Sequence, residues 1–129
     1  MINSGAYNYI NILDKAADAS WLRNEAINNN IANATTPNYK RQDVQFESYL
    51  MTALAGESSL DEAVGAIDLS DITATTYTEY SGMSYRMDGN NVDIATENAE
   101  LAKNQLRYYT LVDAINKDFN TIKTVLTSK

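Results

Sequence analysis

The chain has 129 residues, no Cys, no His and a formal charge of −7 at pH 7. That is room for one domain, and it leaves out disulfides, thiolate or imidazole metal sites and histidine acid–base chemistry. Residues 1–40 and 93–129 are each neutral, so the whole charge lies in residues 41–92, where nine acids face only Arg41 and Arg86. Neutral ends and an acidic middle argue against nucleic acid, which wants basic patches. They suggest ends that bury against partners and a middle that faces solvent. No apolar run approaches the roughly 20 residues needed to span a bilayer. Met1 to Asp14 holds no Lys or Arg and no apolar h-region, so a cleaved signal peptide is not expected.

Residues 4–34 read as one helix with Ser4 as its N-cap. Ala6, Ile10, Leu13, Ala17, Ser20, Asn24, Ile27, Ile31 and Ala34 recur at alternate spacings of four and three, an a/d seam. Its centre, Ala17, Ser20 and Asn24, is small and polar, which weakens packing but fixes register. The spacing alone suits a small monomeric bundle as well as an intermolecular seam.

The helix is predicted to stop in Asn28-Asn29-Asn30-Ile31-Ala32-Asn33-Ala34-Thr35-Thr36-Pro37-Asn38-Tyr39-Lys40. Thr36 precedes the only proline and is biased away from the α region. Asn38 tolerates positive φ.

Phe46, Tyr49, Leu50, Ala53 and Leu54 predict a short helix over 43–56, with Gly56 as its C′ residue. Residues 57–71 are small and acidic and read as a flexible loop. Ile72 to Tyr80 favours a strand, and Ser81-Gly82 a turn into a second strand over Met83 to Met87. Asp88-Gly89-Asn90-Asn91 is a turn. It is not an EF-hand loop, because positions six and twelve hold Asp93 and Ala99.

Residues 93–127 give the strongest pattern. Asp93 can cap, and Glu97 and Glu100 suit the positive end of the helix. Ile94, Asn98, Leu101, Gln105, Tyr108, Val112, Ile115, Phe119, Ile122 and Leu126 keep four–three spacing throughout. Such a helix is about 50 Å long at ~1.5 Å per residue, against roughly 30 Å for a compact domain of this size. It needs a partner along its whole length.

Two ordered words carry a resemblance. Asn29-Asn30-Ile31-Ala32-Asn33-Ala34 with Thr36-Pro37 and Tyr39-Lys40 resembles the signature of the flagellar rod, hook and hook-associated axial proteins. That family usually has glycine where this chain has Asn38. Asp88-Gly89-Asn90-Asn91-Val92-Asp93, then Glu97 and Ala99 to Tyr108, is similar to the proximal-rod members. The likeness covers residues 5–55 and 80–126, and residues 57–79 match nothing.

The expected fold is mainly all-α: two long terminal helices packed as a coiled-coil-like pair, with a short helix and a small extended or β-hairpin element between. The expected division is 4–34 helix, 35–92 turn, short helix and acidic insert, and 93–127 helix. Ile10, Leu13, Ile27 and Ile31 are expected to meet Leu101, Tyr108, Val112, Ile115, Phe119 and Ile122. Asn30, Asn33, Thr36, Pro37, Asn38 and Tyr39 are expected to set the turn. The resemblance implies a structural subunit of the flagellar basal body, stacked helically into a hollow rod that carries torque and encloses an export channel. It implies export through the flagellar type III apparatus. Partners would be further copies, other rod proteins, a rod-base adaptor, the membrane-embedded ring and the export gate. No catalytic site, cofactor, metal, nucleic acid or small-molecule substrate is expected. A different axial subunit, a type III secretion filament and a non-polymerising helical adaptor are the competing readings.

Overall fold

A computed structural model describes residues 4–80 and 86–128, with side chains from Tyr7 onward. Two long helices dominate it. Helix α1 spans Ser4–Ala32. Helix α4, at the other end of the chain, spans Ile94–Thr127. They run antiparallel: Asn30 near the end of α1 bonds to Glu97 at the start of α4, and Ser20 bonds to Asn104 further along. None of the described helices is long and apolar enough to cross a membrane.

Helix α1 buries two faces. One follows the expected seam, with Ile10, Ala17, Ser20 and Ile27 buried, and Ala34 buried just past the helix end. The other holds Ala19, which packs with Phe46 and Ile72 in a core that Ile12, Ala16, Leu50, Ala53, Ile67 and Leu69 extend. Strand and short-helix elements between the long helices dock on α1, with α2 held chiefly against α3 and the 3-10 turn. Small residues at Ala16 and Ala19 let the insert approach closely.

The insert differs from its sequence reading in three ways. Residues 43–56 are not one helix. Strand β1 takes Gln42–Gln45 and helix α2 takes Glu47–Leu54. The apolar positions 46, 49, 50, 53 and 54 lie in or next to α2, so the helical signal was real but began later. Gly56 does follow the C-cap, at φ +94°.

Residues 57–71 are not a loop. Helix α3 spans Leu60–Ala66, and a 3-10 turn spans Leu69–Ile72. Ser59 Oγ accepts the Glu62 N–H at 3.2 Å, and Asp68 Oδ1 accepts the Ser70 N–H at 2.9 Å. These two caps organise a segment whose composition looks disordered, and it buries Ala63, Val64 and Ile72.

Strand β2, Thr75–Thr78, pairs antiparallel with β1, Gln42 opposite Thr78 and Gln45 opposite Thr75. Its partner among the described residues is therefore β1, remote in sequence, and the expected turn at Ser81-Gly82 lies outside them. Of the predicted return strand, Met83 to Tyr85 lie outside the described residues. Arg86 and Met87 are not in a strand. A two-stranded sheet is marginal alone, and this one rests on α1.

Candidate functional site

Both sequence words converge on one place, the end where the helix pair begins. Helix α1 stops after Ala32, and the chain turns through Thr36 and Pro37 to Asn38. Asn38 has φ +63°, as its sequence position predicted. Its N–H donates to the Asp88 carbonyl at 2.7 Å. The Asp88-Gly89-Asn90-Asn91 turn thus lies directly against the Pro37-Asn38 turn.

Three asparagines knit the two turns together. Asn90 is fully buried, and its amide donates to the carbonyls of Asn33 and Thr36 at 2.8 and 2.9 Å. Its Oδ1 accepts the Val92 N–H at 2.8 Å. Asn91 Oδ1 accepts the Arg41 N–H at 2.7 Å, while its amide donates to the Glu79 carbonyl. Asn30, also fully buried, pairs with the Gln42 backbone through both ends of its amide, at 2.8 Å each. Tyr39 Oη donates to the Asn30 Oδ1 at 3.1 Å. Lys40 Nζ donates to the Gly89 carbonyl. Gly89 sits at φ +74°, and a Cβ there would lie 2.7 Å from Asn38 Oδ1. The positive φ is what favours glycine here, since the close approach is only to the end of the exposed Asn38 side chain, which can turn aside.

The remaining members of the turn act locally. Asn33 donates to the Asn29 carbonyl at 2.8 Å and accepts the Thr36 hydroxyl at 3.1 Å. Pro37 is exposed.

A buried carboxylate completes the clasp. Glu97 is 1% exposed and accepts from Arg41 Nε at 2.7 Å and from the Asn30 amide at 3.2 Å. Arg41 also pairs with Glu79 and, at 3.7 Å, with Asp43. Burial pulls the Arg41 guanidinium pKa down, and the bonds to Glu97 and Glu79 more than reverse it, leaving it raised. Nearby, Arg23 chelates Glu47 with two 2.8 Å bonds. The Arg23 bonds hold the Glu47 carboxyl below its ordinary range. These side chains and Arg107 line a groove of ≈640 Å³. All three arginines there are already paired with carboxylates, so Asp43, Glu47 and Glu79 of the acidic middle face arginines as well as solvent.

The helix seam is shifted from its predicted register. Along the first half of α4 the buried positions are Glu97 and Asn104, with Leu101 and Tyr108 half-buried. Ile94, Asn98 and Gln105, expected in the seam, are exposed. Polar residues occupy the inner positions because α1 offers them partners: Asn104 donates to the Ser20 carbonyl at 2.7 Å. Apolarity alone could not reveal this. The pairing of Asn30 with Glu97 is the missed signal.

Further along, Val112, Ile115 and Ile122 are half-buried, whereas Phe119, expected in the seam, is 53% exposed. On α1, Ile10 and Ile27 are buried, with Leu13 and Ile31 partly so. Across all 34 residues of α4, only Glu97 and Asn104 are buried. The longest helix of the molecule buries no apolar side chain fully.

The fold and this site define a class: an antiparallel pair of chain-terminal helices, locked by a polar clasp at one end and only half covered along its apolar stripe. No protein-family model matches the chain. Its sequence is 42% identical over 120 residues to the flagellar basal body rod protein FlgB of Bacillus subtilis (strain 168), covering 89% of this chain and 90% of that one. It is 33% identical to FlgB of Borreliella burgdorferi over 84% of this chain and 88% of that one. FlgB of Borrelia hermsii is 30% identical over 91% and 94% of the two chains. The chain belongs to the flagellar basal body rod protein FlgB family.

Proposed function

We propose that this protein is a structural subunit of the flagellar basal-body rod, in its proximal part. Copies stack helically with their terminal helices packed side by side. The stack transmits torque and encloses an export channel. The observation that carries this reading is the half-covered stripe of α4, a 34-residue helix without one fully buried apolar side chain. Apolar surface of that extent is expected to find cover, and the family supplies the kind of assembly in which neighbouring subunits provide it. Partners on this reading are further copies, other rod proteins, the rod-base adaptor, the membrane-embedded ring and the export gate. The chain crosses the inner membrane by the flagellar type III route. The role is mechanical rather than catalytic.

The packing residues of this assembly are Leu101, Tyr108, Val112, Ile115, Phe119 and Ile122 on α4, with Ile10, Leu13, Ile27 and Ile31 behind them on α1. The clasp residues Asn30, Asn33, Thr36, Pro37, Asn38 and Tyr39 fix where the insert leaves the pair. Co-sedimentation with purified basal bodies tests the proposal. The wild-type chain is expected to co-purify with the rod and Phe119→Asp to be lost from it. A chain found only in the soluble fraction of motile cells overturns the reading in favour of an adaptor.

A further inference from the structure

The two edges of the small sheet are finished differently. The Arg41 carbonyl accepts the Glu79 N–H at 2.9 Å, so backbone groups at 41, 43 and 45 face β2 and those of Gln42 and Val44 face away. Side chains close this outer edge of β1. Asn30 bonds both backbone groups of Gln42. Arg23 donates to the Val44 carbonyl at 2.9 Å, and the Val44 N–H donates to Asp43 Oδ1 at 2.7 Å. On β2 the same alternation turns 75, 77 and 79 towards β1 and Thr76 and Thr78 outward. Among the described residues, the backbone groups of Thr76 and Thr78 meet no partner on that side.

All four residues of β2 are exposed. Proteins usually guard such an edge with Lys, Pro or a bulge. Thr75-Thr76-Tyr77-Thr78 has none of these and consists of strand-favouring residues in unbroken register. Val44 is buried, yet Thr76 directly opposite it is exposed. The face that β1 rests on α1 is therefore open at β2, which leaves room for a further strand beside it.

The strand is also complementary to itself. Two copies of β2 can pair antiparallel about a two-fold axis with Thr76 of each opposite Thr78 of the other. Every outward N–H and C=O on both strands is then bonded. Tyr77 falls on the axis, opposite its own counterpart, in a non-hydrogen-bonded pair with Cα atoms about 4.5 Å apart. Aromatic pairs and Thr–Thr pairs across strands are favourable. The strand carries no charge, and the Glu79 carboxylate beyond it is already paired with Arg41.

We infer that β2 is a self-pairing edge, through which two copies of this chain join antiparallel about Tyr77 into one four-stranded sheet. Two strands of this length make a contact below the roughly 1,200 Å² of a stable interface, so the pair is transient. The interface is isologous, whereas helically stacked copies all point one way. The pair therefore belongs to chains outside a stack, and the inference does not rest on the rod reading.

Sedimentation equilibrium of the full chain tests it, at about 0.15 M salt to screen the acidic middle. A reversible monomer–dimer equilibrium is expected. Thr76→Pro removes an outward N–H from each copy and leaves the bonds to β1 in place. It should raise the dimer dissociation constant about tenfold or more, with a melting temperature near wild type. The chain has no Cys, so single cysteines read the register. Under mild oxidation Tyr77→Cys is expected to form a disulfide-linked dimer about tenfold faster, or more, than Thr76→Cys or Thr78→Cys, whose Cα atoms would lie beyond the ~7 Å reach of the bond. A chain that stays monomeric at every concentration, as when its own residues close the edge, overturns the inference. Dimerisation that Thr76→Pro leaves unaltered, as association through the α4 stripe would be, overturns it as well, and so does equal cross-linking at all three positions.

Discussion

Asn38 and Gly89 show how far single residues decide this molecule. Each holds a positive φ, and each lies against the other. Asn38→Gly should change stability little, since both residues tolerate the conformation. Asn38→Val should cost about 1–2 kcal/mol or more from left-handed strain in a β-branched residue. Gly89→Ala meets strain and a 2.7 Å approach to Asn38 Oδ1, which must turn aside. Placed on an Asn38→Gly background, it loses that approach and keeps only the strain. Urea unfolding of the two singles and the double should therefore give a favourable coupling energy, and strict additivity would refute the contact. Glu97 is the other decisive residue. Removing one member of a buried ion pair typically costs about 3–5 kcal/mol. Glu97→Gln should cost somewhat less, roughly 2–3 kcal/mol, because Arg41 keeps Glu79 and Asp43 and Asn30 can still bond to a carboxamide.

Among the elements, the two long helices were legible and the insert largely was not. The repeat of apolar residues at three and four identified α1 and α4, and Asp93 marked the start of α4: its side chain accepts the Ala95 and Thr96 N–H groups. The turn words were legible too, although nothing in either word said that they bond to each other. Strand β1 was hidden because its four residues, Gln42-Asp43-Val44-Gln45, carry one apolar side chain. Its strand state comes from Asn30 and β2, which are remote in sequence. Helix α3 was hidden by its acidic composition, but Ser59 followed by Glu62 at the third position is the pattern of a capping box. Ser59→Ala should cost about 1 kcal/mol and expose the α3 backbone to hydrogen exchange while α4 is unaffected. Acid tests the link between α2 and the pair. The Glu47 pKa is depressed by Arg23, so its contribution is present above the ordinary carboxylate range. It is lost as pH falls through the lower folded value. Stability should drop below about pH 4.5, and Glu47→Gln should flatten that part of the profile.

For the whole molecule, the asymmetry along the helix pair is what matters. At the clasp end, α4 is tied across the chain by Glu97 to Arg41 and Asn30, and by Asn104 to Ser20. Beyond Tyr108, the side-chain hydrogen bonds of α4 among the described residues stay within the helix. Thr110, Thr121, Thr124 and Thr127 each return a hydroxyl to the carbonyl four residues back, an arrangement that does little for helix stability. What holds this half is apolar contact that is everywhere incomplete. A helix in that condition is marginal, since most helical stability in proteins comes from packing. The clasp half should therefore be folded in the free chain, and the distal half should fold fully only when neighbours cover it, as coupled folding and binding allows. Amide exchange would read this directly: residues 97–104 protected in the free chain, residues 110–127 exchanging fast there and slowly in the rod. Ile115, half-buried within the distal half, is the position to challenge. Ile115→Asp should leave the unfolding of the clasp half within about 0.5 kcal/mol of wild type, because little cooperative structure depends on it. The same change should block incorporation, where the carboxylate would be buried without a partner. If free-chain amides past Thr110 are as protected as those around Asn104, and Ile115→Asp unfolds the chain as a whole, the pair folds as one unit and assembly adds no order to it.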